Sequence, residues 1–453
     1  MLIRFVAKNI YSFKHQTEFN LLPNKTQRLP HHKVSNKGID SLRLSAIYGA
    51  NGSGKSNLIK AITLLKSMVV SGSLIDNVSD IKFRLSEENT ITPISLAIEF
   101  FSNSKNYYYT LTFDKDIILN ESLVESKKES DVLIFERNNQ NDTQSIIFYE
   151  DYVKNSEKNK LFVEVLAEKL ILKNELLLSF LNSKYKAEFN DISTVFNWFS
   201  ETLIIIKPNS IPAGIAHYLD TNDGLKDFAN DLLPTLNTGI IKLSIDKKAM
   251  EHFSNSEEQD KLRTLAEDLK KAPNQLSSVR NKKTGEEMTM VYENDEICIK
   301  TVLATHLNDR GIDENFPIAM ESDGTKRLID YIPALNGIIN HESVYLIDEI
   351  ERSIHPLTIK NIISKISLDS KAKGQLIFTT HESSLLDQDI LRTDEIWFAQ
   401  KDIDGSSRLY SLSDFNIHNT ANIENGYLNG RYGGIPFLSN LQDLNWHKYE
   451  VSE

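Results

Sequence analysis

One cysteine in 453 residues, Cys298, leaves no partner for an intramolecular disulfide, and a reducing cytoplasm fits that scarcity. It lies in the alternating stretch Glu296-Ile297-Cys298-Ile299-Lys300, so a small buried apolar role is expected rather than a nucleophile. No apolar run approaches the roughly eighteen residues needed to cross a bilayer, so no membrane partner is expected. The first residues alternate like a strand and lack the apolar core and cleavage site of a secretory signal. Positive charge is in deficit: 51 Lys and Arg against 63 Asp and Glu give a net charge of −12. That balance argues against a surface that wraps nucleic acid non-specifically, because phosphate contacts need clustered cations. The best local exception, Arg280-Asn281-Lys282-Lys283-Thr284-Gly285, reads as a solvated hairpin tip without an aromatic stacking partner, leaving nucleic acid a possible but unsupported partner. With 40% hydrophobic and 25% charged residues the chain has an ordinary globular balance, and its length suits two or three compact bodies.

Against these absences stands one dense motif. Gly49-Ala50-Asn51-Gly52-Ser53-Gly54-Lys55-Ser56 follows the apolar run 44–48 and opens the helical pattern that starts at Asn57. This is strand, phosphate loop, helix. The glycines let backbone N–H groups turn inward, Lys55 reaches the β and γ phosphates of a nucleoside triphosphate, and the Ser56 hydroxyl ligates Mg²⁺. A nucleoside triphosphate and Mg²⁺ are therefore the expected cofactors, with Gly49, Asn51, Gly52, Gly54, Lys55, Ser56 and Asn57 as the binding residues.

The chain organises around that loop. Alternation predicts strands near 2–7, 17–22, 42–48, 94–100 and 107–113, with a helix from the loop to about residue 70. Residues 1–120 thus read as the N-terminal half of an α/β ATPase domain. Lys, Glu and Asn enrichment with amphipathic stretches at 160–181 and 256–271 marks 121–315 as a mostly helical insertion carrying a β-hairpin near 278–298. Residues 316–453 return to βα alternation, with short buried strands at 344–347 and 375–379.

Polar groups cluster at the ends of those strands. The run 344–347 stops at Asp348-Glu349, adjacent carboxylates that are costly at a strand end unless they serve a cation. Asp348 is expected to hold Mg²⁺, directly or through water, and Glu349 to accept a proton from the water attacking the γ phosphate. The run 375–379 leads to Thr380-His381, where an imidazole can sense the γ phosphate. Glu321-Ser322-Asp323-Gly324-Thr325 precedes a helical pattern; taken alone, Ser322 reads as an ordinary N-cap.

The order of parts is phosphate loop, Ser-x-Gly helix start, acid pair 24 residues after Gly324, and a histidine 33 residues after Asp348. It resembles the ATP-binding-cassette class of P-loop ATPases. In that class the nucleotide is ATP, and Ser322 and Gly324 would close over one held by another copy, so the resemblance implies a homodimer or higher oligomer with ATP-bridged heads. Further stretches narrow it: Asn9-Ile10-Tyr11-Ser12-Phe13-Lys14, Asp348-Glu349-Ile350-Glu351-Arg352-Ser353-Ile354-His355-Pro356, Phe378-Thr379-Thr380-His381, Ile396-Trp397-Phe398 and Gly426-Tyr427-Leu428-Asn429-Gly430-Arg431-Tyr432-Gly433-Gly434-Ile435-Pro436. They are similar to the ABC-like, AAA-family ATP-binding proteins of bacterial abortive-infection systems, relatives of the overcoming-lysogenization-defect, RecF and SMC groups. That resemblance implies a role in phage defence beside a separately encoded effector, typically a nuclease.

Two departures accompany the resemblance. No glutamine occurs between Lys55 and Gln140, so the usual glutamine contact to Mg²⁺ and water is unassigned and slow turnover is expected. Asp323 replaces the first glycine of the familiar Ser-Gly-Gly element. Three functions remain open: a defence ATPase, a nucleotide-gated scaffold without turnover, and a RecF-like DNA-repair ATPase, the last opposed by the acidic balance. The Gly-rich tail reads equally as a compact loop against the core or as a docking surface.

Overall fold

Cross-strand register lines up Phe19, Phe5, Ile98, Tyr109, Leu123 and Phe135, all fully buried, so one face of the largest sheet is a continuous apolar wall. The sheet is antiparallel throughout and has seven strands, in the order Thr143–Phe148, Val132–Gln140, Ile117–Ser126, Lys105–Asp114, Ile94–Ser102, Leu2–Lys8, Thr17–Asn20. In the computed structural model, which describes residues 1–36, 38–127, 130–140, 143–149, 157–186, 188–250, 259–272, 275–280, 287–418 and 421–435, the chain divides into two units. The first comprises Met1–Ile205 with Leu376–Glu453, and the second Ile206–Gln375.

The first unit also holds a parallel arrangement built for burial on both faces. Strand Leu44–Tyr48 is flanked by Gln375–Thr379 and Ile396–Lys401, both parallel to it, and Ser407–Ser411 adds an antiparallel edge. Every residue of Leu44–Tyr48 and Gln375–Thr379 is buried, which is why these strands read as short unbroken runs rather than alternating ones. Helix Lys55–Ser71 follows directly and buries Leu58, Ile62, Leu65 and Val69. It stops at Gly72, whose left-handed φ of 81° lets its N–H reach Met68 O at 2.8 Å.

The second unit places strand Val344–Ile347 and helices Asp323–Asn340 and Pro356–Leu368 beside a five-stranded antiparallel sheet. In that sheet Glu296–Leu307 pairs with Lys242–Ala249, Glu287–Glu293 and Asp313–Pro317, and Leu276–Arg280 pairs with Glu287–Glu293. Ile329 and Ile332 of the long helix pack with Leu225, Leu233, Val302 and Ala304. A separate cluster joins Leu262, Ala266 and Leu269 of helix Gln259–Lys271 to Met290 and Ile299.

These divisions differ from the expected boundaries at 120 and 315. Strands 117–126, 132–140 and 143–148 extend the first unit's sheet, and 121–315 mixes strands with helices rather than being mostly helical. The reason lies in Glu121. It faces inward, fully buried, which breaks the apolar alternation by which strands are recognised, yet it is satisfied by Leu177 N–H at 2.7 Å, Leu178 N–H and Tyr109 Oη at 3.0 Å, and Arg137 at 3.7 Å. The 160–181 stretch splits into Glu157–Val165, a wider turn Leu166–Leu170, and Leu177–Lys184. Between them, Lys173 O, Asn174 O and Leu176 N bond to Ile118, Leu74 and Gly72 instead of continuing a helix. The strand expected at 42–48 is interrupted at Arg43, separating Ile39–Leu42 from Leu44–Tyr48. The hairpin near 278–298 forms; of its expected basic tip at 280–285, Arg280 ends a strand and 281–285 lie outside the described residues. Cys298 is half-buried rather than buried as expected. Among the described residues no helix is long and apolar enough to cross a membrane.

Candidate functional site

The phosphate loop is held by close approach of backbone. Gly54 caps helix Lys55–Ser71 with φ 115°, and a side chain there would collide with the Ser407 hydroxyl. Gly52 adopts φ 74° in open space, so its requirement for glycine is conformational rather than steric. Gly49 lies against Ala399 O with no room for a Cβ, and Asn51 is exposed at the loop's crest. Lys55 is buried, and its ammonium lies over the loop, giving hydrogen bonds to Gly49 O at 2.6 Å and Ala50 O at 3.2 Å. Ser56, half-buried, is the second residue of the helix. Asn57 Nδ2 donates to Ser12 Oγ at 2.8 Å, and Ser407 N–H donates to Ser12 O at 2.7 Å. Ser12 and Ser407 thus brace the loop from two remote segments.

The neighbouring strand ends level with the loop. Thr379 pairs with Ile47, and Thr380 N–H donates to Ile47 O at 3.1 Å, which carries exposed His381 to the side of the phosphate loop. Thr380 Oγ1 accepts from Glu382 N–H at 3.0 Å and fixes the turn beyond it. On the other side, Phe398 stacks with Tyr427 and Tyr432, while Tyr410 Oη donates to Tyr432 O at 2.7 Å. The Gly-rich segment up to residue 435 therefore forms a compact loop on this strand; Pro436 lies outside the described residues.

The second unit carries the acids and the Ser-x-Gly element. Asp348 is buried at the end of Val344–Ile347, its N–H bonded to Ile206 O at 2.9 Å. Glu349 takes a left-handed φ of 52° and its carboxylate lies 3.6 Å from Arg352, both side chains being well exposed. Ser353 is left-handed too, at φ 64°, so the acid pair heads a turn with two non-glycine residues in a disfavoured region. Ser322 Oγ accepts Thr325 N–H at 3.1 Å and caps helix Asp323–Asn340. Gly324 sits where a Cβ would come 2.6 Å from Ser353 O. Within this unit the helix start and the acid turn are thus one packed assembly.

Sequence reasoning missed four contributors. Ser12 stands in the 9–14 stretch without an assigned role, and Ser407 carries no motif of its own. Arg352 was visible only as a charge after the acids. Arg327, to which the sequence reading gave no role, is buried, its Nη1 and Nη2 bonded to Ser210 O at 2.9 Å and Lys207 O at 3.2 Å. Its guanidinium lies 4.5 Å from the ring centre of Tyr331, whose hydroxyl is pushed up to about 12 by burial.

A glycine-turned loop closing on a lysine at a helix start, at the ends of buried parallel strands, defines a P-loop nucleotide-binding protein of mixed α/β fold. The chain belongs to the AAA-domain family described as "AAA domain, putative AbiEii toxin, Type IV TA system", whose family model matches residues 44–387. A curated relative from Vibrio cholerae serotype O1 biovar El Tor, a retron Vc95 probable ATPase, is 25% identical over 372 residues. The match covers 75% of this chain, which spans only 66% of that relative's length. Among solved structures, the SMC head domain from Thermotoga maritima matches at 13% identity and TM-score 0.39, covering 92% of this chain and 99% of the other. An SMC head bound to the C-terminal winged-helix domain of ScpA matches at 15% identity and TM-score 0.40, covering 90% and 97%.

Proposed function

We propose that this protein is a Mg²⁺-dependent ATPase whose nucleotide state regulates a separately encoded effector, a nuclease, in anti-phage defence. The observation that carries the nucleotide part is the cradle itself: Gly52 and Gly54 in left-handed conformations, Lys55 folded over the loop, and a 17-residue helix starting without a side-chain cap. Such a helix start leaves N–H groups directed at an anion. The donor set suits a hard cation, since Ser56 and Asp348 offer a hydroxyl and a carboxylate. Mg·ATP supplies the phosphoanhydride and neutralises its charge. Lys55 binds the β and γ phosphates, Ser56 and Asp348 hold the cation, and Glu349 takes the proton from the attacking water. His381 senses the γ phosphate, and Ser322 with Gly324 completes the site of a second copy. The defence context is supported by the family and by the retron relative.

Phosphate release by wild type, Glu349→Gln and Lys55→Ala tests the reading. Turnover in wild type alone, with ATP retained by Glu349→Gln, supports it; wild-type turnover in Glu349→Gln removes Glu349 as the base. One observation favours a second reading, a nucleotide-gated scaffold with little turnover: no glutamine lies between Lys55 and Gln140. Tight ATP binding without phosphate release in a single-turnover experiment would select it.

A further inference from the structure

A cavity of about 490 Å³ lies wholly within the second unit, beside the Ser-x-Gly helix start. Its apolar wall includes Ile211, Ile215, Val302 and Ile329, and its polar wall includes Arg327 and Arg352. Arg327 is the unusual group. It is 5% exposed, and among the described residues no carboxylate forms an ion pair with it. Its Nη atoms hold the carbonyls of the turn at 207–210, while its Nε is buried without a hydrogen-bond partner among the described residues. A buried cation held by carbonyl dipoles and an aromatic face, with no carboxylate paired directly to it among the described residues, is unfavourable, and an anion entering the cavity relieves it. Other charges on the wall set the anion's character. Lys326 is drawn to Asp323 at 3.6 Å, and Asp323, Asp330 and Glu287 disfavour a dianion. One unpartnered Nε donor and an apolar wall suit a single carboxylate on a branched aliphatic body.

We infer that this cavity is a binding site for an organic carboxylate with an adjacent apolar group, anchored by Arg327. An acidic residue next to leucine or valine in a partner segment presents that chemistry, and so does a free branched-chain carboxylate. Arg352 lines the same cavity and pairs with Glu349 at 3.6 Å, so occupancy is transmitted to the acid turn. This coupling rests on the ATPase reading; the binding does not.

The test is calorimetric titration of the full chain with N-acetyl-Leu-Asp-amide, N-acetyl-Leu-Asn-amide, isovalerate and inorganic phosphate, each to about 10 mM. Saturable binding of the Asp dipeptide or isovalerate is expected, with the Asn dipeptide weaker by about tenfold or more, as for loss of a charged hydrogen-bond partner. Preference between the dipeptide and isovalerate tells a partner segment from a free metabolite. Arg327→Met is expected to weaken binding by a similar factor. Because that variant also loosens the turn at 207–210, Ala319→Trp, which fills the cavity from its half-exposed rim, is expected to abolish binding in a chain with wild-type circular dichroism. No saturable carboxylate binding, equal binding of the Asn dipeptide, displacement by phosphate, or wild-type binding by Ala319→Trp would overturn the site. Carboxylate binding that leaves wild-type ATP turnover unaltered would overturn the coupling alone, whereas absence of turnover without any carboxylate would strike the ATPase reading instead.

Discussion

Gly324→Ala separates a packing role from a purely intermolecular one. The new Cβ would lie 2.6 Å from Ser353 O and 3.7 Å from Ser353 C, so the two segments must part by about 0.8 Å to reach ordinary contact. Ser353 O is backbone in a turn tied by Ile354 N–H to Glu351 O at 2.9 Å, and it cannot swing aside as a side chain would. Overpacking of this kind costs about 1–3 kcal/mol. Replacing glycine with alanine in a helix returns up to about 1 kcal/mol, and less in the first turn where Gly324 sits. The net expectation is about 1–2 kcal/mol of destabilisation, which lowers a urea midpoint by roughly 0.5 M at a slope of 2–3 kcal/mol/M. Urea unfolding followed by circular dichroism measures it. The same displacement moves the turn bearing Glu349, so turnover falls with stability. If Gly324 serves only a second copy, the variant unfolds with the wild-type midpoint, and that result would refute the packing argument.

Glu349→Gln should lose about 10²–10⁴ of the hydrolysis rate while keeping ATP, as read by phosphate release and by nucleotide retained after gel filtration. His381→Ala should slow single-turnover hydrolysis yet change ATP affinity by no more than a few-fold; a large loss of affinity would move His381 from sensing to binding. Arg137→Met strands Glu121 in the core and should cost about 3–5 kcal/mol, lowering the melting midpoint by about 6–20 °C. Burial raises the Glu121 carboxyl above its usual 4.5 despite Arg137, so the folded state holds that proton more tightly than the unfolded chain. Stability therefore declines as pH rises from about 4.5 through the folded pKa, and removing Arg137 should steepen the decline in melting midpoint across that window.

The phosphate loop was legible because everything that shapes it is contiguous: apolar strand, glycines, lysine and helix lie within 28 residues, from Leu44 to Ser71. Val344–Ile347 and Gln375–Thr379 were legible for the same reason, as unbroken apolar runs ending in polar residues. What escaped depends on distant partners. Glu121 looks like a surface residue until Arg137, Tyr109 and the helix start at Leu177 surround it, and the strands it joins to the first unit lie beyond the compositional boundary at 120. Arg327 sits between Lys326 and Leu328 in a helix start, but carbonyls 117 and 120 positions away bury it. Close backbone packing is equally silent: nothing near Gly324 announces Ser353, and nothing near Gly54 announces Ser407.

Equilibrium binding of a fluorescent ATP analogue, with magnesium present, to wild type and Lys55→Ala tests the central claim most directly. Saturable wild-type binding that weakens by about a hundredfold or more in Lys55→Ala, roughly 3 kcal/mol, is the expected result. A wild-type chain that takes up no nucleotide, or a Lys55→Ala chain that binds it equally well, would contradict the account.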